Sequence, residues 1–377
     1  MKIAFISNFI NHHQVHVADE LYKIVGDGYK FIETEPMPEE FIKNGYPDYS
    51  DRPYVVKAYS SSMLEYAKKY AYDADVVVIG SAPEYFVSQR IYDNKLTFRY
   101  NERWFKSKPW YLTGIRGWIY FYKNHIRYKH KPLYMLCASA FTAKDVNTIG
   151  AYKNKCYKWG YFTKVNYAQS LRNYKLSKTD PMRIMWCARF LKLKHPELPI
   201  LLAQRLKQNG YNFIINMFGS GEELILSEDL VKNLGLTDVV HFCGNRPNDE
   251  ILNEMKRHDI FLFTSDRNEG WGAVVNEAMS CGCVVVGSDM VGSIPFLIND
   301  GINGLIFKSE SVDSLEDKVC YLLNNPEKLN QLSSAAISTM QNVWSPKNAA
   351  LNLVKLIESL LSGKAEDLKC IGPCSKA

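Results

Sequence analysis

Residues 261–304 read FLFTSDRNEGWGAVVNEAMSCGCVVVGSDMVGSIPFLINDGING, and this stretch decides the fold. With Ile260 it opens as a short apolar run ending at Thr264, the composition of a strand buried on both faces of a parallel sheet. A polar turn follows from Ser265 to Gly272, then Ala273 to Ser280 as a helix that Gly282 ends. Cys283 to Gly287 is a second buried strand, which completes a strand–helix–strand unit. Gly270 and Gly272 stand where the backbone must turn sharply and where a ligand can approach the free amides of a helix start.

Two carboxylates bracket that helix start, Glu269 just before it and Glu277 about a turn and a half in. Both belong near the C-terminal edge of the sheet, where open α/β sheets bind ligands. Paired acceptors around a cluster of amide donors suit a molecule with hydroxyls at both ends and phosphate between them, as in a nucleotide sugar. A glutamate pair alone is equally what a capped surface helix carries, so the surrounding residues have to decide.

Those residues resemble the retaining glycosyltransferases of family 4, whose hallmark is Glu, seven residues, Glu, in the pattern E-G-F-G…E-A-M-A-x-G-x-P-V-V. This chain has Glu269-Gly270-Trp271-Gly272, then Glu277-Ala278-Met279-Ser280-Cys281-Gly282-Cys283-Val284-Val285. Asp300-Gly301-Ile302-Asn303-Gly304 is similar to the family's D-G-x-N-G. Trp271 replaces Phe, Cys283 replaces Pro, and Phe296 stands where many members carry Glu. The resemblance implies the GT-B fold, an α/β architecture of two Rossmann-like domains whose parallel sheets face across a cleft, with a C-terminal crossover helix. It implies that Glu269 binds donor-sugar hydroxyls, Glu277 the ribose, and the amides of Gly270, Trp271 and Gly272 the phosphates. Arg189 and Lys194 match the family's G-R-L-x-x-x-K-G loop as diphosphate cations, with Ala188 and His195 in place of the flanking glycines. Gly219 and Arg246 fall on further donor-side loops by the same resemblance.

At 377 residues the chain is long enough for two domains with full cores, and 46% hydrophobic and 23% charged residues are ordinary for a globular protein. It holds no run of 18 apolar residues and no charged-then-apolar leader, so neither a spanning helix nor a signal peptide is expected. The nine cysteines lack C-x-x-C spacing, and Cys137, Cys187 and Cys283 read as small buried hydrophobes of a reducing compartment.

The domains expected are 1–165, a linker at 166–181, 182–345, and a crossover helix at 346–363 that returns to the first domain by resemblance. The first half begins with a strand at Lys2 to Ser7, a loop through His12 and His13, and a helix from Val15. No G-x-G-x-x-G follows the strand, so no bound dinucleotide is indicated. His12 and His13 read as phosphate contacts, proton carriers or caps of the first helix. Asp73-Ala74-Asp75 imitates a metal-binding D-x-D, but it precedes the strand Val76 to Gly80 and so lies at the wrong end of it. Glu84, beyond that strand, is an acceptor-side candidate.

Residues 95–132 hold ten Lys or Arg, eleven aromatic residues and a single acid, Glu102. Without an RNA-recognition, zinc-finger or helix-turn-helix pattern, nucleic acid is not the expected partner. An anionic membrane surface and an ordinary solvated face remain. Where relatives place a cleft-facing His, this stretch offers Arg99, Glu102 and Arg103 for the acceptor. The last residues, from Lys364, carry no fold signal.

The expectation is a metal-independent, retaining transfer of a sugar from a nucleoside diphosphate to a glycan or lipid-linked acceptor. No cofactor is expected; the setting by analogy is cell-surface polysaccharide synthesis, cytoplasmic and peripheral on the inner membrane face. Competing readings are a GT-B sugar-nucleotide epimerase or phosphorylase, and a non-catalytic basic membrane- or nucleic-acid-binding protein.

Overall fold

The computed structural model describes residues 1–43, 46–107, 114–165, 180–363 and 370–377. The chain forms two compact units, Met1–Lys164 with Val343–Ala377, and Val165–Asn342. Each is built on one parallel sheet with helices between successive strands. Most of the expected linker, 166–179, lies outside the described residues, as do 108–113 of the basic aromatic stretch.

The first unit contains β1 (Ile3–Ser7), β2 (Tyr29–Glu33), β3 (Val55–Lys57), β4 (Val76–Ile79), β5 (Thr97–Asn101), β6 (Leu133–Cys137) and β7 (Cys156–Lys158). Their order is β3-β2-β1-β4-β5-β6-β7, every neighbouring pair parallel. All of β1 and β4 is buried, which explains why both strands are continuous apolar runs instead of alternating ones. The direction of winding reverses between β1 and β4, so the loops after these two strands diverge at the C-terminal edge.

The second unit contains β8 (Met182–Cys187), β9 (Phe213–Phe218), β10 (Val240–Gly244), β11 (Ile260–Phe263), β12 (Val284–Ser288) and β13 (Leu305–Phe307), ordered β10-β9-β8-β11-β12-β13. All its pairs are parallel too. Here the winding reverses between β8 and β11, and β11 and β12 are the two strands of the stretch quoted first. Ile184, Trp186, Ile215, Leu262 and Val286 line one face of a single apolar core.

The helix Pro346–Leu361 belongs to the first unit, where it packs on the helix Val15–Val25 through buried Ala349, Leu353, Leu356 and Ile357. Its start is well specified: Ser345 accepts a hydrogen bond from the Asn348 amide, and Pro346 occupies a position that needs no N–H. Asp73-Ala74-Asp75 does join a helix to the N-terminal end of β4, and Asp75 accepts from the Lys2 amide at 2.7 Å.

The tail departs from the expectation. After a turn at 371–374, residues 374–377 lie antiparallel beside β7, with the Cys374 amide donating to Lys158 O at 2.7 Å and the Lys158 amide to Ser375 O at 2.8 Å. The Asn352 amide fixes the same segment by donating to Pro373 O at 3.0 Å, and Cys374 is buried. A segment with no apolar periodicity, and only Gly372-Pro373 as a turn signal, is thus ordered by a sheet edge that needs hydrogen-bond partners. Removing residues 370–377 is expected to cost about 3 kcal/mol, from three backbone hydrogen bonds at about 1 kcal/mol each, and to promote association through the bared edge. Calorimetry and light scattering on the truncated protein check this; an unchanged melting temperature and a monodisperse sample would contradict it.

Candidate functional site

In the second unit the candidate site is assembled at the C-terminal edge where β8 and β11 lie side by side. The loop leaving β8 runs against the loop leaving β9: Ala188 donates to Phe218 O at 3.1 Å and Phe190 to Ser220 O at 2.8 Å. A Cβ on Gly219 would lie 2.0 Å from Ala188 O, and one on Gly221 2.4 Å from Phe190 O. Both φ angles are positive, +128° and +151°, so glycine is required twice over. Gly219 therefore shapes the floor of the site.

The β8 loop tightens into a turn at Lys192–Lys194, and His195 then takes a left-handed conformation, φ 50° and ψ 57°. That conformation costs a non-glycine residue roughly 1–2 kcal/mol, and it is where the family pattern has Gly. What holds the loop is Thr264, buried at the end of β11. The Trp186 indole donates to the Thr264 hydroxyl at 2.9 Å, which donates on to Lys194 O at 2.6 Å. The Asp266 amide adds a bond to Leu193 O at 2.9 Å.

This stitching brings Lys194 to Glu269, and their side chains form an ion pair in which each is largely buried. Two residues 75 positions apart in sequence, both expected in the site, thus meet in the protein. Arg189 is exposed, and no described residue pairs with it. Gly272 has φ +79° and a Cβ there would lie 2.3 Å from the Phe263 ring, so the turn through Gly270 packs directly on β11. The Trp271 side chain is buried with its Nε1 donating to Asn276 Oδ1 at 2.8 Å, so it is a packing residue, and only its backbone is available to a ligand.

Glu277, on the helix Val274–Ser280, is partly buried, and desolvation pushes its carboxyl up to about 7 against the opposing effect of a hydrogen bond from Asn248. Cys187, at the end of β8, is pushed up to about 12 by burial, reinforced by Glu277. It stays a thiol. Arg246 is exposed, with only a 3.3 Å bond to Cys243 O and a 3.5 Å surface pair with Glu250. Asn248, Thr264 and Asp266 were not among the expected site residues, and as single polar residues in loops they carry no pattern of their own.

His195 donates from Nδ1 to Glu197 Oε1 at 2.6 Å, with Asp266 Oδ2 3.6 Å from its Nε2. His195, Asp266 and Glu310 each bring a ligand-type atom within 4.8 Å of the other two; no other grouping of three His, Cys or carboxylate residues is this close among the described residues.

The first unit is arranged differently from the expectation. His13 stacks on Tyr161 with centroids 4.8 Å apart, His12 tilts over Tyr46 at 4.9 Å, and Tyr161 donates to Glu102 at 2.5 Å. Burial and the neighbouring imidazoles lower both histidines, His12 to about 4, so both rings are neutral near pH 7. Neutral rings do not serve as cations for phosphate. Nor do they cap the helix, whose start at Gln14 carries no side-chain cap; the Asn11 side chain turns the loop before it by accepting from the His13 amide at 2.9 Å.

Arg99 is buried in a two-pronged pair with Glu84, at 2.7 and 2.8 Å, and donates also to Asn124 O at 2.9 Å. Its charge is paired inside the unit with that of Glu84. Arg103 is buried with its guanidinium 4.5 Å from the centre of the Phe141 ring. Of the six acceptor-side candidates, His12, His13 and Glu102 share one cluster beside the β1 loop, while Glu84, Arg99 and Arg103 pack the fold.

Comparison with known proteins agrees with this architecture. Residues 169–339 match the family model described as Glycosyl transferases group 1. The N-acetyl-alpha-D-glucosaminyl L-malate synthase of Bacillus anthracis is 32% identical over 111 residues, covering 29% of this chain and 28% of that protein. The amylovoran biosynthesis glycosyltransferase AmsK of Erwinia amylovora is 26% identical over 186 residues, covering 48% and 46%. The chain thus spans less than half the length of these curated relatives. Among solved structures, Anabaena HepE in complex with UDP superposes over 96% of this chain and 100% of its own, with a TM-score of 0.68 at 15% identity, a likeness of fold. Residues 169–339 are therefore similar to the group 1 glycosyl transferases, in a chain that shares the GT-B fold.

Proposed function

We propose that this chain is a retaining glycosyltransferase that moves a sugar from a nucleoside diphosphate to a hydroxyl of a glycan or lipid-linked acceptor. One observation carries the reading: the β8–β11 reversal, where such sheets bind ligands, gathers Arg189, Lys194, Glu269 and the Gly270–Gly272 turn. The AmsK relative is named for polysaccharide synthesis, and that is the setting proposed here.

As the bond from sugar to diphosphate breaks, negative charge grows on the leaving phosphate. Arg189 is free to meet it with its two-pronged donor face. Lys194 exchanges Glu269 for the phosphate, and the released carboxylate accepts hydroxyls of the donor sugar. The ligand-free ion pair thus keeps two otherwise costly buried charges ready, each with a partner. The sugar gains oxocarbenium character, and Glu269 orients it without forming a bond to it. Because side chains and amides supply the countercharge, this reading requires neither metal nor other cofactor. Losing one such donor typically costs about 3 kcal/mol of transition-state stabilisation.

On the acceptor side, neutral His12 and His13 with Tyr161 and Glu102 offer ring faces and hydrogen-bond acceptors, which suits glycan hydroxyls better than an anion. The proposed membrane contact rests on the helix Gly114–Asn124. It exposes Ile115, Ile119, Tyr120 and Tyr122 beside Arg116 and Lys123, with Arg127 and Lys129 just beyond. Each such cation near an anionic bilayer contributes ~1 kcal/mol. Among the described residues no helix is long and apolar enough to cross a membrane, so the contact proposed is peripheral, on the cytoplasmic face.

A thermal-shift series with UDP, GDP, ADP and CMP, with and without EDTA, tests the donor assignment. UDP comes first because the HepE neighbour holds it. One nucleotide at 100 times its Kd should stabilise the protein by about 2.7 kcal/mol, unaffected by EDTA; no shift from any would favour a phosphorylase. Lys194→Ala should weaken that binding roughly ten- to hundredfold; equal affinity would remove Lys194 from the site.

Glu277 makes a pH-dependent prediction. Its native pKa of about 7 exceeds the usual 4.5, so the native state holds a proton that the unfolded chain releases, and stability falls as pH rises between those values. Glu277→Gln should be more stable than the parent at pH 8, by on the order of 3 kcal/mol, and nearly equal at pH 4. Urea unfolding at both pH values decides; a pH-independent difference would contradict it. For the membrane, reversing charge at Lys123 and Lys129 should weaken binding to anionic vesicles and leave nucleotide affinity unchanged. A parent protein that never binds such vesicles ends that reading.

A further inference from the structure

His195 occupies a position where its backbone favours glycine, yet it holds a large polar side chain there. The residue sits next to Lys194 in the loop after β8, and its imidazole reaches three other segments. Its Nδ1 meets Glu197, at the start of the helix Glu197–Gln208, at 2.6 Å. Its Nε2 faces Asp266, three residues before Glu269 on the loop after β11, at 3.6 Å. Glu310, in the loop after β13, is the third carboxylate of the group and itself takes a left-handed φ of 62°. The Nε2 atom is buried and makes no hydrogen bond of normal length.

We propose that His195 is a positioning residue, whose side chain binds the loop carrying Lys194 to the loop carrying Glu269 through charge shared with Glu197, Asp266 and Glu310. The inference deepens the donor-site reading and rests on it. A glycine at this position satisfies the backbone but leaves the two loops joined by Thr264, the Asp266 amide and the Lys194–Glu269 pair that a phosphate would have to open. The imidazolium adds a charge attraction to Asp266, across 3.6 Å, that depends on a proton. Glu197, then Asp266 and Glu310, raise the pKa of the ring against the effect of its burial, so the charged form extends toward neutral pH. Donor binding should therefore contain a component that fades as pH rises above that range. These three carboxylates are the charged groups facing the ring, and none is removed in the test.

The test compares the parent with His195→Gly and His195→Asn, two residues that tolerate the left-handed backbone and carry no charge. UDP affinity is measured at pH 6 and pH 8.5, and each protein's melting temperature is recorded without nucleotide. The expected result is that both variants fold, bind UDP about tenfold more weakly than the parent at pH 6, and approach the parent at pH 8.5. Glu277 titrates in all three proteins, so the difference between profiles isolates His195. Parallel affinity profiles for parent and variants would overturn the proposal. So would stoichiometric binding of Mn2+ or Zn2+ by the parent that His195→Gly abolishes, since the cluster would then hold a metal instead of a proton. A parent that binds no nucleotide would overturn the donor reading instead. In that case the ligand-free melting profiles still decide whether His195 joins the loops: a parent–variant difference that shrinks from pH 6 to 8.5 supports it, and a constant difference does not.

Discussion

The hydroxyl of Thr264 is the joint on which the donor-side geometry depends. It accepts from a buried tryptophan at the end of one central strand and donates to the main chain of the loop that leaves that same strand. A buried hydroxyl without partners would cost stability, and here both of its roles are filled. The consequence is positional. Lys194 and Glu269 come from segments far apart in sequence, and their ion pair forms because the backbones that carry them are already sewn together. The glycines at 219, 221 and 272 serve the same end from the other side, by letting main chain and ring approach closer than any side chain permits.

Much of the second unit was legible in the sequence. Strands such as Ile260–Phe263 are buried on both faces and so leave an unbroken apolar run, and the turn between them needs glycine for steric reasons that any observer can read. The short edge strands Val55–Lys57 and Cys156–Lys158 were not legible: three residues are too few to show a period. The docked tail was missed for a related reason. Its order comes from the edge of β7, and nothing in its own composition announces that edge.

The acceptor side shows where residue type misleads. Arg99 and Glu84 look like recognition groups in sequence, but a two-pronged pair with a third bond to main chain commits the charged ends of both to packing the fold. The histidine pair looks cationic and is neutral, because burial opposes protonation and the nearby His16 adds to it. Partners decide the chemistry of such residues, and partners are a property of the fold. Lys194 and Glu269 differ because their pairing is itself part of the site. His195 was visible only as a departure from a glycine, and its reason lies in three carboxylates from three other segments.

The two units are unequal in how the chain supplies them. The second is one continuous segment, Val165–Asn342, whereas the first draws on both ends of the described chain. During synthesis the second can close its core as soon as its own residues have emerged. The first cannot: β1 is made early, but the helix that covers its neighbour and the strand that seals β7 arrive only after residue 343. At about 5–20 residues per second, the first unit therefore waits many seconds for the helix that packs on Val15–Val25. Its folding is set by the rate of translation as well as by its own contacts, and a chaperone has that interval in which to act.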